Sequence, residues 1–511
     1  MVAVGVFLSV GPTVRASAAQ CPDGSPPPCR APTRAAAPAP NSVAVLYFDN
    51  LSRDTADAYL ADGLTEEITV RLGRIDRLAV KSRNAVRRYR GHVIDDPESL
   101  GRALGVSYLV SGSVRRSGSR VRVGVELTRA ATGVRRWGDE YERADTDLFA
   151  IEEAVAGAVT EQIAGRLLPA ERASVAARPT RNPEAYDHLL RGHYYLAQRT
   201  QRSTARAIDE YTAATRLDSS FVQALARAAY GYALFPTWGW QYSGLPAESL
   251  LARGFALVDR ALGHDSNMAD AWVARGFLLT HKHPRTLEGA REAFERAIAL
   301  DPRNAEAYHR YAFTSELLDA DSAAVAASEH ALALEPERPV TLTDLADLDF
   351  LRRRYREAVR LADSALKVDP GFYYGYVDRS RSRLYAGDIA GARADAETAL
   401  RLGSDDPRLA EAVLADVEVR EGDTAAARAR LDGLLHELPD TGSIGGLVVR
   451  FFASTLVALG ERERALDLLE RIRPRGALMW YWLRQPDFDP VRSHPRFQRL
   501  VEESRPPTAP R

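Results

Sequence analysis

The sequence predicts two structural classes in series: an α+β N-terminal domain over residues 42–170, then an all-α superhelix (α-solenoid) of stacked helical hairpins over 183–472. Three observations carry this. Leu300-Asp301-Pro302, Leu334-Glu335-Pro336, Val368-Asp369-Pro370 and Leu402-Gly403-Ser404 recur every 34 residues. Paired small residues precede each of them at fixed distances: Ala290 and Ala297, Ala324 and Ala331, Ala358 and Ala365, Ala392 and Ala399. Upstream, 107–141 divides into β-rich segments separated by the turn signals Ser117-Gly118-Ser119 and Ala131-Thr132-Gly133. At 511 residues the chain exceeds one ordinary domain, and 45% apolar with 27% charged residues is a soluble globular composition. A formal charge of −1 supplies no overall field to gather nucleic acid, so none is predicted as partner.

The first segment, VAVGVFLSVGPTV, is an apolar run followed by Arg15 and ASAAQ. Small residues at Ala16 and Ala18, or Ser17 and Ala19, fit the signal-peptidase rule, and the run is short for a bilayer span. No Lys or Arg precedes it, so two readings of 1–19 stay open: an exported chain whose true start lies upstream, or the remnant of a membrane anchor. Export, to a periplasmic or secreted location, is the preferred expectation. A membrane tether at the N-terminus is the alternative. Cys21 and Cys29, the only cysteines, sit in the Ala/Pro-rich linker 20–41. In an exported chain they suggest one small disulfide loop, with two unpaired thiols as the other reading. Gln20 fits a lipoprotein signal poorly.

From Ser42 the texture changes. SVAVLYF is a buried-strand candidate ended by Asp49, Asn50 and Ser52, and 55–75 has helical spacing with Asp54 as cap. LAVKSR reads as a second strand, and Pro97–Leu104 as a short helix opened by Asp96 and closed by Gly105. Three strands follow, Ser107–Arg115, Arg120–Thr128 and Val134–Tyr141. In the middle one Val121, Val123, Val125 and Leu127 alternate with polar positions. An amphipathic helix spans Asp147–Leu168. The strings SVAVLYFDNLSRDTADAYLADGLTEEITVRLGRI, YLVSGSVRRSGSRVRV and WGDEYERADTDLFAIEEAVA resemble the bacterial TolB-like N-terminal domain. That resemblance implies a fold commonly placed ahead of helical repeats and carries over no catalytic residues.

The 34-residue period with paired alanines before an x-D-P ending resembles the tetratricopeptide repeat. Alanine lets antiparallel helices approach, and Pro stops the second helix. Leu217-Asp218-Ser219 and His264-Asp265-Ser266 mark earlier, irregular repeat ends, and 406–438 and 446–472 keep helical periodicity without the consensus. Six to eight hairpins are expected between Pro183 and Ile472. The tail, 473–511, holds Trp480, Trp482, Phe488 and Phe497 and reads as a terminal cap.

Reactive chemistry is hard to find in this sequence. It holds no GxGxxG, P-loop, HExxH or GxSxG pattern, so no enzyme activity and no cofactor are predicted. The glycines and serines of 111–119 read as a hairpin turn. His281 and His283 read as a solvated loop rather than as metal ligands, and Arg115-Arg116 and Arg135-Arg136 as solvated strand faces. The remaining candidate is the concave face lined by the first helix of each hairpin. The register puts Phe277, His309, Phe313, Glu316, Asp347, Phe350, Tyr374, Arg381 and Tyr385 there, a mixture suited to a partner protein or peptide. Packing between repeats is the competing role for each of these aromatics. Thr343 and Val377 occupy positions where the family's carboxylate clamp needs Lys. A second candidate surface is the Trp238, Trp240 and Tyr242 segment, as a groove cap or as packing. The sequence therefore predicts a non-enzymatic interaction scaffold. The runner-up is a regulatory fragment of a transmembrane signalling protein. A third reading is small-molecule binding near Asp49, Asp62 and Glu66.

Overall fold

The computed structural model describes residues 38–238, 240, 242–282, 286–403, 407–438, 446–472 and 476–506. The expectations for the leader, the linker and the Cys21/Cys29 loop lie outside the described residues.

A run of apolar residues on both sides of one strand makes the N-terminal sheet a covered one. The sheet holds β1 (Ser42–Val45), β2 (Asp49–Asn50), β3 (Ala79–Val80), β4 (Tyr108–Ser117), β5 (Arg120–Arg129) and β6 (Val134–Ala144). They run in the order β3-β1-β4-β5-β6, with β2 also beside β4. β1 pairs in parallel with β3 and β4, and β4, β5 and β6 form an antiparallel meander. Val43 and Val45 face helices α1 (Ala58–Gly73) and α4 (Leu148–Ala164). Ala44 and Leu46 face α2 (Arg83–Val86) and α3 (Pro97–Leu104) on the other side. This two-sided burial is why β1 is a continuous apolar run, whereas β5 alternates between the core and solvent. Helix α3 has its expected ends: Asp96 caps the Ser99 amide, and Gly105 turns at φ +65°. The 111–119 segment is a hairpin, with Ser117 paired to Arg120 and Gly118 in the left-handed region. A short helix that the sequence reading lacked, α5 (Pro169–Ala176), folds back onto the sheet domain, where Glu171 pairs with Arg77 at 2.6 Å.

Among the described residues, eight helical hairpins follow. They are α6 (Pro183–Ala197) with α7 (Gln201–Leu217), α8 (Val222–Trp238) with α9 (Ala247–His264), and α10 (Ala269–Lys282) with α11 (Leu287–Leu300). Next come α12 (Ala305–Leu317) with α13 (Asp321–Leu334), α14 (Pro339–Leu351) with α15 (Tyr355–Val368), and α16 (Tyr373–Ala386) with α17 (Ile389–Leu402). The last are α18 (Arg408–Glu421) with α19 (Thr424–His436) and α20 (Gly446–Ala458) with α21 (Arg462–Arg471). All the paired repeat alanines are fully buried between helices. A Cβ on Gly276 would stand 2.7 Å from the Phe294 ring, so glycine there admits the phenylalanine of its own hairpin. At Leu300-Asp301-Pro302 the helix ends as expected, with Asp301 extended at φ −138° ahead of the proline.

The sheet domain and the first hairpins share one core. Leu60, Leu64 and Ile68 of α1 lie in the same cluster as Leu189, Leu190 and Tyr211. At its centre Glu152 accepts from Arg71 at 3.0 Å and from the Tyr186 hydroxyl at 2.6 Å. The chain closes with α22 (Ala477–Leu483), a 3-10 turn (Pro486–Val491) and α23 (Pro495–Ser504). Among the described residues no helix is long and apolar enough to cross a membrane.

Candidate functional site

The concave side of the repeats encloses a cavity of about 120 Å³. Its walls follow helical spacing, because each contributing helix turns one stripe inward. Helix α12 supplies Arg310, Phe313 and Glu316; α14 supplies Val340, Thr343, Asp344 and Asp347; α16 supplies Tyr374, Val377 and Asp378. Arg450 and Phe451 come from α20, Leu478, Tyr481 and Trp482 from α22, and Thr237 and Trp238 from the end of α8. The Trp238 ring lies 4.2 Å from that of Tyr374, which joins the second hairpin to the sixth across the groove.

The C-terminal segment therefore lies inside the groove as well as at its end. Tyr481 donates to Asp347 at 2.8 Å, and Arg484 pairs with Asp319 at 2.6 Å. Arg381, 4% exposed, binds Asp347 at 2.9 Å and also Asp487 and Gln485. Its guanidinium lies 3.7 Å above the Phe350 ring. The aromatics of the tail are buried as a cap requires, but α22 packs back on α12, and its Tyr481 reaches Asp347 of α14.

Four of the expected groove residues meet at this cavity: Phe313, Glu316, Asp347 and Tyr374. The others take up packing. Phe277 and Phe350 are at most 1% exposed, Phe277 beneath the Arg310 guanidinium at 4.1 Å. His309 is 1% exposed, with Nε2 2.5 Å from Asp344 Oδ2. Burial, and then the Arg310 charge, lowers its pKa. Tyr385 stands beside Phe350, ring centres 4.9 Å apart, and lines a separate cleft with Asp416, Arg420 and Asp487. Thr343 and Val377 line the cavity without offering a cation for a carboxylate.

Burial dominates the electrostatics. It raises the Glu316 carboxyl well above its usual range, reinforced by Asp344 and Asp347, and Glu316 Oε1 has no hydrogen-bond partner. Asp378, which lines the cavity, is pushed up to about 8 by burial and then by Asp347. Arg450 is lowered by burial and by Arg381, and its Nε also lacks a partner.

Trp238, expected as a groove cap or as packing, lines the cavity; sequence reasoning missed Asp344, Asp378, Arg450, Tyr481 and Trp482. Asp344 precedes Asp347 by three positions and Asp378 follows Tyr374 by four, so helical periodicity carried that signal. Trp240 and Tyr242 pack: Tyr242 donates to Asp209 at 2.8 Å, and Trp240 lies against Phe235. His281 is not solvated as expected. Its Nε2 lies 2.8 Å from the Thr237 hydroxyl, and burial lowers it to about 3; His283 is outside the described residues. Arg116 departs from the solvated-face expectation too, pairing with Asp145 at 2.9 Å and Asp57 at 3.3 Å. Asp62 and Glu66 are held by Arg83, with Asp62 also on Arg90, while Asp49 is exposed and apart from them. Among the described residues no group of three or more His, Cys, Asp or Glu side chains could hold a metal ion.

No family model matches this chain. A protein described as putative adenylate cyclase 3, from Rhizobium meliloti, is 35% identical over 170 residues, which are 33% of this chain and 29% of that protein. The chain thus spans under a third of that curated relative. A tetratricopeptide repeat protein of Parabacteroides merdae aligns with 13% identity over 54% of this chain and 99% of its own, at a TM-score of 0.36. A thermophilic repeat protein of Thermus thermophilus aligns with 18% identity over 39% and 99%, at 0.34. Another, YrrB, described as having an unusual peptide-binding site, aligns with 18% identity over 39% and 95%, at 0.26. The hairpin architecture follows from the helix order and the buried repeat alanines.

Proposed function

We propose that this chain is a non-catalytic scaffold that binds a partner protein from the concave side of its repeats, after export to the periplasm or cell exterior. One observation carries the reading: aromatic and unpaired polar side chains from several helices converge on one concave cavity. Such convergence is typical of binding sites rather than of structural cores. The chain's own C-terminal segment occupies the groove along α12 and α14, which leaves little room there for an extended peptide. The reading therefore narrows to a partner that reaches the cavity with a side chain. Capture of a partner by the full chain tests it. Phe313→Ala with Tyr374→Ala is expected to abolish capture with the circular dichroism spectrum unchanged, and undiminished capture would move the site out of the groove.

A second reading is favoured by the stretch shared with the putative adenylate cyclase. Here the sheet domain and repeats form a regulatory module, and the chain serves a membrane signalling system. Co-purification of the full chain with a membrane-bound signalling protein through residues 42–170 supports this reading. The Tyr59 hydroxyl of α1 donates to Asp187 of α6 at 2.5 Å, and capture that survives disruption of this contact, but not of the cavity, favours the first.

A further inference from the structure

We infer that the concave cavity is a binding site for an organic ammonium group, of the kind a lysine side chain or a free alkylamine presents. The inference rests on the scaffold reading for its biological setting, and on the following geometry for its chemistry.

Glu316, Asp344, Asp347 and Asp378 line the cavity together with Arg310 and Arg450. Outside it Arg310 shares Glu306 with Arg338, and Arg338 also pairs with Glu335 at 3.0 Å, so two cations meet two carboxylates there. Arg381, behind the wall, is matched by Asp487 and Asp347. Among the described lining residues, Arg450 is thus left against Glu316, Asp344 and Asp378. Glu316 is 2% exposed and its Oε1 has no partner, although a buried acceptor left unpaired is costly. A cation placed there satisfies it. A bound cation favours the ionised form of Glu316 and Asp378, whereas an anion or an uncharged ligand does not.

The rest of the wall suits the stem and face of such a group. Trp238, Tyr374, Phe313 and Tyr481 add aromatic surface to the same cavity, the best cation-binding apolar surface a protein offers, while Phe451 and Trp482 carry the Arg450 guanidinium at 4.2 and 5.7 Å. A volume of about 120 Å³ holds a side-chain head and several methylenes, not a folded element. Burial, and then the neighbouring carboxylates, raise Glu316 and Asp378, so an ammonium group bound there would draw off their protons.

The test uses the full chain and n-butylammonium chloride as probe, followed by tryptophan emission because Trp238 and Trp482 line the cavity. Saturable quenching or enhancement is expected with n-butylammonium, and at least tenfold weaker responses with n-butanol and sodium butyrate at equal ionic strength. Glu316→Gln with Asp378→Asn is expected to weaken n-butylammonium at least tenfold while far-ultraviolet circular dichroism is unchanged. If that double variant does not fold, Asp378→Asn alone is read in the same way, with a loss of at least threefold. An end-blocked Gly-Lys-Gly peptide separates the sources: tighter binding than n-butylammonium assigns the site to a peptide lysine, and equal or weaker binding to a free amine. Equal responses to n-butanol, preference for butyrate, or undiminished binding by the folded variant overturns the inference. Loss of partner capture with amine binding intact removes the scaffold reading alone; the reverse result removes this one alone.

Discussion

The Tyr481 hydroxyl donates to Asp347 Oδ2 at 2.8 Å, joining residues 134 positions apart. This contact and the neighbouring Arg381 pairs hold the end of the chain inside its own groove. Tyr481→Phe removes one donor from a carboxylate that keeps Arg381, so the expected cost is about 1–2 kcal/mol. Chemical denaturation of the full chain checks it, with increased proteolysis at 476–492 as the accompanying sign.

Arg381→Met is expected to be more damaging. It leaves Asp487 buried without its main cation and strips the guanidinium from the Phe350 face. Breaking one side of a buried pair costs roughly 3–5 kcal/mol. Adding Asp487→Leu should restore part of the loss, because both desolvated charges then disappear; a denaturation cycle of the single and double variants measures the coupling.

Stability is expected to decline between pH 6.5 and 8. Burial, and then Glu152 beside it, pushes Glu67 up to about 8, and burial puts Asp378 near the same value. Both folded values lie above those of the unfolded chain, so their stabilisation is complete below about pH 4.5 and is lost as pH rises toward 8. His193, lowered to about 4 by burial, acts in the opposite sense, but its contribution is already complete above about 6.5. Urea midpoints at pH 6.5 and 8.5 check the decline, and Glu67→Gln should flatten it. An unchanged slope in that variant would assign the decline elsewhere.

Gly276→Ala is expected to destabilise the third hairpin. The added methyl meets the Phe294 ring at 2.7 Å, inside normal contact, and overpacking of this kind costs about 1–3 kcal/mol. Phe294→Leu in the same chain makes room and should recover part of the loss in thermal unfolding.

Much of the fold was legible because its determinants are local. Asp96 and Gly105 bound α3, Asp301-Pro302 stops α11, and alternation in 120–128 marks β5; each signal acts within a few residues. The candidate site was legible in part. Phe313, Glu316, Asp347 and Tyr374 reach the cavity because the repeat register fixes which helix face turns inward. Phe277, Phe350, His309 and Arg381 share that register but are covered by neighbours contributed from other hairpins or from the tail. No local pattern encodes that covering.

By itself the sequence determined the element types, the 34-residue hairpin register and the neutral overall charge, all of which follow from periodicity, capping and composition. Only the tertiary structure decided that α22 returns into the groove, that Trp238 meets Tyr374 across it, and that Glu316 ends without a hydrogen-bond partner for Oε1. The physical reason is range. Caps and periodicities act between residues close in sequence, whereas enclosure and desolvation depend on which distant surfaces cover a side chain, and that is set by the curvature accumulated over the whole stack.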